Sequence, residues 1–307
     1  MPFGEIHIKL EISWGLIQIR LGQNDLASQS LRKSIADIEK LPETGALEQA
    51  KANAYHWFAI SLSHLSRFSE AATAYQQSIE IAKAIGDEWL AVGTLIDLAD
   101  DYADQNRLEE GEALVLRALE ISRQIGDLDN EAYARSTKAY LLLARGEHQQ
   151  AASELVQAIT ISERIGALWN IPIMQADLAS AYLATHEIER AHQHATQSLT
   201  EAKNNPSQLF DLGYAHHVLA RVEAAQRNWE SATKRFNQAI IMYEQEGNQL
   251  SVAQAQRHLA EALLQQGKQT EAAELLQTAL ATFRKLALAH EIIETERLLE
   301  KNRPKEK

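Results

Sequence analysis

Three aspartates pose the chemical question in this 307-residue chain: Asp97, Asp100 and Asp104. Spaced three and four residues apart on a helix, their carboxylates share one face, repel one another and attract a cation. Tyrosines, histidines and arginines stand at the same one-turn spacing elsewhere. His56 and Trp57 precede the aspartates, Tyr133 and Tyr140 follow them, and Asp177 comes next. His217 and Arg221, then Arg257 and His258, complete the set. An acidic middle between His- and Arg-bearing segments suits an extended ligand with a basic centre. The competing reading is an ordinary solvated helix face.

Catalytic and metal chemistry find less support. His192 and His194 are two residues apart, so on a helix their rings diverge by about 200°. Two ligands on one face need a spacing of three or four. The aspartates lack the loop that wraps calcium, and the absence of cysteine removes thiolate nucleophiles and Cys-based metal sites. No phosphate-binding glycine loop, dinucleotide fingerprint or nucleophile elbow occurs. Neither catalytic residues, metal nor cofactor are expected.

Composition narrows the partners. Thirty basic against 42 acidic residues give a formal charge of −12, which disfavours nucleic acid and anionic membranes. No run approaches the roughly 18 apolar residues that span a bilayer, and the N-terminus lacks signal-peptide character. These features and the missing cysteines fit a cytoplasmic protein.

The elements that must position the candidate residues come from an internal repeat. Short turns begin at Gly22, Ser66, Asn106, Gly146, His186, Arg227 and Gly267, separated by 44, 40, 40, 40, 41 and 40 residues. Three columns of small residues keep register with them. Seven before each turn stand Gly15, Ala59, Ala99, Ala139, Ala179, Ala220 and Ala260. Five after stand Ala27, Ala71, Gly111, Ala151, Ala191, Ala232 and Ala272. Seven further on come Ser34, Ser78, Ala118, Ala158, Ser198, Ala239 and Ala279. Small residues at fixed places let two helix backbones approach closely. Each unit therefore reads as a helical hairpin, its second helix ending at Gly86, Gly126, Gly166 or Gly247 with Asp or Asn beside several of these to cap the next. Trp89, Trp169, Phe210 and Leu250 open successive first helices and are expected in the core between units.

These columns, with Tyr75 four residues after Ala71 and Phe236 four after Ala232, resemble the tetratricopeptide repeat (TPR) family. The leading Trp and closing Pro of that family are missing, and the 40-residue period is similar to the subgroup in kinesin light chains, Leu-Gly-Asn-repeat scaffolds and bacterial regulators. The resemblance implies an all-α, right-handed superhelical solenoid of seven helix-turn-helix repeats with a C-terminal capping helix. The units fall at 4–44, 47–86, 87–126, 127–166, 167–206, 207–247 and 248–287, the cap at 288–303 and a frayed tail at 304–307. The resemblance also implies that first helices line the concave groove. The family's carboxylate clamp does not transfer, since Lys9 and Asn53 lie in different units, and Asp97 and Asp177 stand where an Asn-rich groove would have Asn.

At the front, Ile6, Ile8, Leu10, Ile12, Trp14 and Leu16 alternate like a strand, but Gly15 and Gly22 hold the repeat register and favour a helix. Such an all-round apolar helix must be buried, by self-association or by an upstream domain. The functional expectation is a non-enzymatic scaffold that binds a peptide segment or partner helix in its groove. The alternative is a ligand-sensing module of a bacterial-type regulatory system whose effector lies upstream or on another chain.

Overall fold

The computed structural model describes residues 3–204 and 209–302. The 206/207 unit boundary and the tail at 304–307 lie outside them. Fifteen helices occupy the described residues, in seven hairpins and one terminal helix. The hairpins are α1 (Phe3–Arg20) with α2 (Asn24–Ile38), α3 (Gly45–His64) with α4 (Phe68–Ile85), and α5 (Glu88–Asp104) with α6 (Leu108–Ile125). Next come α7 (Leu128–Ala144) with α8 (His148–Ile165), and α9 (Ile171–Ala184) with α10 (Ile188–Asn204). The last are α11 (Leu209–Ala225) with α12 (Trp229–Glu246), and α13 (Gln249–Gln265) with α14 (Gln269–Lys285), before α15 (Ala289–Lys301). They form a right-handed α-solenoid.

The small-residue columns explain the hairpin geometry. From the second unit onward every alanine in them has zero exposure, as do Ser34, Ser78 and Ser198. Where serine replaces alanine, its hydroxyl finds a partner: Ser78 donates to the Ala52 carbonyl at 2.9 Å and Ser198 to the Pro172 carbonyl at 2.7 Å. A buried hydroxyl without such a bond would cost about 1–3 kcal/mol. The residue that begins each intra-unit turn has positive φ, from Ser66 at 56° to Gly267 at 80°. That shared left-handed geometry is why glycine recurs there. Asp87, Asp127 and Asn248 accept from the backbone N–H groups of Leu90, Asn130 and Ser251, capping α5, α7 and α13.

Two expectations need correction. Trp89 and Trp169 are 59% and 44% exposed, not core. Trp169 instead stands over the edge of the preceding unit, its indole N–H donating to Asp129 at 3.2 Å and its ring edge-on to Tyr133. Leu250 is buried as expected. The front helix is α-helical, but only one side of it enters the core, through Ile8, Ile12 and Ile19.

Successive first helices pack directly on one another, as α1 on α3, α5 on α7 and α9 on α11, with no comparable contact between successive second helices. First helices therefore crowd the inside of the curve. The curve also returns on itself. The Asn24 side-chain amide donates to the Glu246 carbonyl at 3.0 Å, and the Leu250 N–H donates to Ser66 Oγ at 3.1 Å. His64 stacks on Phe210, and Phe68 shares a core cluster with Leu250 and Phe283. The turns of the first two units thus meet the sixth and seventh units along a seam.

Candidate functional site

The inner face is organised by a ladder that joins neighbouring first helices. Tyr133 of α7 donates its phenol to Asp97 of α5 at 2.5 Å and is 3.1 Å from Asp100. Tyr140 donates to Asp104 at 2.6 Å, and Tyr214 of α11 donates to Asp177 of α9 at 2.6 Å. The sequence separations are 36, 36 and 37 residues, one repeat less about one helical turn. Each tyrosine therefore starts about one turn nearer its helix's N-terminus than its aspartate does in the preceding unit, and reaches back onto that unit. Asp101, beside the ladder, accepts a short hydrogen bond from Ser63 of α3.

Burial changes what these carboxyls are. It pushes Asp97 up to about 7 against the opposing hydrogen bond from Tyr133, and Asp177 to about 7 against Tyr214. Asp104 rises to about 6, mainly by burial, with Tyr140 opposing and Glu291 of α15 adding repulsion across the interior. Asp100 and Asp101 are pushed well above the carboxylate range by burial and by their acidic neighbours. The face expected to be acidic is thus a set of carboxyl groups whose protonated form burial favours.

The other half of the interior holds two arginines, one of them paired with acids, and two histidines. Arg257 pairs with Glu261 at 2.9 Å and with Glu291 at 3.1 Å, and Arg221 reaches Ser180 at 3.5 Å. His217 Nε2 and His258 Nδ1 are 2.8 Å apart. Burial, reinforced by Arg221 and Arg257, drops His217 to about 3 and holds His258 well below the imidazole range, so one neutral ring donates to the other.

The candidate residues thus divide. Asp97, Asp100, Asp104, Tyr133, Tyr140 and Asp177 come together in the ladder. Arg221, Arg257, His217 and His258 come together beyond it. His56 and Trp57 serve packing: buried His56 meets Thr94 at 3.0 Å and Asp97 at 3.6 Å, while Trp57 packs against the N-terminal core. His217 is likewise buried, edge-on to Phe236 and Tyr243. Sequence reasoning missed Ser63, Asp101 and Glu291. The 36-residue Asp-to-Tyr spacing was available as a signal for the ladder; nothing in the spacing announces Glu291, which folding brings across the interior. Among the described residues no group of three or more His, Asp or Glu side chains forms a metal site.

Comparison with known proteins agrees with this architecture. Tetratricopeptide repeat profiles match residues 92–125 and 211–285, so those segments carry tetratricopeptide repeats. No curated protein matches it. Among solved structures it is similar to the Rap conjugation gene regulator of plasmid pLS20 in complex with the Phr* peptide, at 14% identity and TM-score 0.75, covering 92% of this chain and 75% of that one. A Rap protein complexed with competence and sporulation factor has 12% identity and TM-score 0.61, with 96% and 97% covered. A signal-transduction ATPase with a tetratricopeptide repeat sensor from Pyrococcus horikoshii has 15% identity and TM-score 0.55. This chain covers 41% of that protein, with 88% of its own length aligned. At these identities the likeness concerns the fold. No described helix is long and apolar enough to cross a membrane.

Proposed function

We propose that the chain is a non-enzymatic interaction module whose inner face binds an extended peptide segment carrying both a cationic side chain and a carboxylate. The observation that carries this reading is that carboxyl and guanidinium groups both line one wall. The Tyr–Asp ladder of α5, α7, α9 and α11 lies at one side, and Arg221 and Arg257 of α11 and α13 lie at the other. A lysine or arginine beside the ladder draws the raised carboxyls into their charged form. A carboxylate beside Arg257 competes with Glu261 and Glu291 for the guanidinium. The structural neighbour in complex with the Phr* peptide supports a peptide as the ligand class.

A second reading is that of a sensor whose curvature is read by an effector domain or chain. The seam favours it: superhelix closure rests on a few polar contacts and one small apolar cluster, so a ligand that alters the pitch breaks or makes them together.

Fluorescence polarisation with labelled peptide libraries tests the proposal, comparing Lys-containing with Lys-free sequences and free with amidated C-termini. The expected hits need both charges and weaken at least about tenfold with Asp104→Asn or Arg257→Gln. Hits that bind both variants as tightly as wild type remove the inner face from consideration.

A further inference from the structure

Helix α1, with Leu21 just past its end, has a second apolar side. Ile6, Leu10, Trp14, Ile17 and Leu21 follow one another at steps of four, four, three and four residues and are 46%, 64%, 53%, 45% and 52% exposed. The repeat register identifies this face. Leu10 stands five residues before the small residue Gly15, and its equivalents Ala54, Thr94, Ala134, Met174, Ala215 and Ala255 are at most 1% exposed. Ile17 stands two after Gly15, and its equivalents Ser61, Asp101, Leu141, Ala181, Val222 and Ala262 are at most 3% exposed.

Thr94 shows what covers the face elsewhere: it bonds His56 of α3 and lies 3.5 Å from Ser78 of α4. The face seats in the furrow between the two helices of the preceding unit. At the Leu10 and Ile17 positions α1 carries large side chains where later units mostly carry Ala, Ser or Thr, and at the Trp14 position it carries a residue larger than the Phe, Leu or Lys of later units. Such bulk does not fit that close furrow, and it suits a single facing helix whose large side chains interdigitate with its own. The stripe is also self-matching, with Trp14 at its middle and two aliphatic residues on either side. A two-fold axis near Trp14 therefore lays apolar on apolar along the whole helix.

We infer that α1 is a homodimer interface, packing against α1 of a second copy of this chain. Five half-exposed large side chains leave on the order of 400 Å² of apolar surface per copy, comparable to the largest patch on a typical monomer, which is often functional. Pairing two helices about 27 Å long buries on the order of 1,000 Å² in total, the low end for a specific interface. The dimer is accordingly reversible, and the charge of −12 on each copy makes it stronger in added salt. This inference is independent of what the inner face binds.

Sedimentation velocity on the full chain across the micromolar range tests it, with helicity followed by circular dichroism. Wild type is expected to pass from monomer to dimer. Leu10→Glu with Trp14→Glu is expected to weaken the dimer at least about tenfold. Trp89→Glu, at an exposed Trp outside α1, is expected to leave it unchanged. Because the chain has no cysteine, Ser13→Cys keeps the stripe intact and reports proximity: mild oxidation yields a disulfide-linked dimer, while Ser153→Cys on α8 does not. Wild type that stays monomeric, a double variant that associates as tightly as wild type, or equal cross-linking at Ser153 overturns the inference.

Discussion

Tyr140 and Asp104, 36 residues apart, meet at 2.6 Å between the first helices of adjacent units. The same relation holds for Tyr133 with Asp97 and Tyr214 with Asp177. One contact therefore serves two purposes. It ties unit to unit, and it holds a carboxyl group on the inner face with one oxygen already engaged.

Removing the hydroxyl separates these purposes. Tyr140→Phe keeps the ring and leaves the Asp104 carboxyl without its donor, at a cost of roughly 1–3 kcal/mol. The urea midpoint should fall accordingly. The Asp104 carboxyl, followed by carbon-detected NMR, should titrate above its value of about 6 because the lowering hydrogen bond is gone.

The pH dependence of stability combines two opposed sets of groups. Asp97, Asp177 and Asp211 at about 7 and Glu246 at about 8 stay protonated in the folded chain where the unfolded chain has already ionised. Their contribution is lost as pH rises through those values. His56, His64 and His216 at about 4 and His217 at about 3 do the reverse: the unfolded chain binds their protons up to about 6.5, so stability rises with pH until then. The slopes oppose each other between about pH 4 and 6.5. Above that only the carboxyl slope remains, so the urea midpoint should drop from neutral pH towards pH 8. Glu246→Gln should flatten the upper part of that fall.

The seam predicts a change of shape. Asp211 and Glu246 each have a buried carboxyl oxygen without a hydrogen-bond partner, and burial is the main cause of both raised values. Ionising them beside the Asn24–Glu246 and Ser66–Leu250 contacts favours separation. Small-angle scattering should show a larger radius of gyration for Asn24→Ala with Ser66→Ala than for wild type. Wild type should expand in the same direction as pH rises past about 8, the value of Glu246.

Gly15 breaks the alanine column for a local reason. A Cβ there would lie 2.7 Å from Cγ of Leu31, which has zero exposure. Alanine gains about 1 kcal/mol of helix propensity, but displacing a packed leucine costs about 1–3 kcal/mol. Gly15→Ala should therefore lower the urea midpoint.

The hairpins were legible because close approach demands small residues and turns demand left-handed backbone, and both recur every 40 residues. Ala59, Ala99 and Ala139 state that constraint in the sequence itself. The ladder was half legible: Asp97, Tyr133 and Tyr140 stood out as polar residues on first helices, but their pairing depends on how far one helix leans across the next. The seam was not legible, because Asn24 and Glu246 meet only after the small rotations between successive units have accumulated. Trp89 and Trp169 misled for a related reason, since an aromatic at a helix start reads as core whether or not the neighbouring unit covers it.

A double-mutant cycle tests the binding claim most directly. It combines Asp104→Asn in the protein with Lys→norleucine in a tight-binding library peptide, with affinities measured by isothermal titration calorimetry. If the ladder receives the peptide's cation, the two losses are not additive, and the coupling is about 1–3 kcal/mol. Protons should also be released on binding, seen as a heat that varies with buffer. Losses that simply add, with no buffer-dependent heat, would contradict the assignment of the inner face as the binding site.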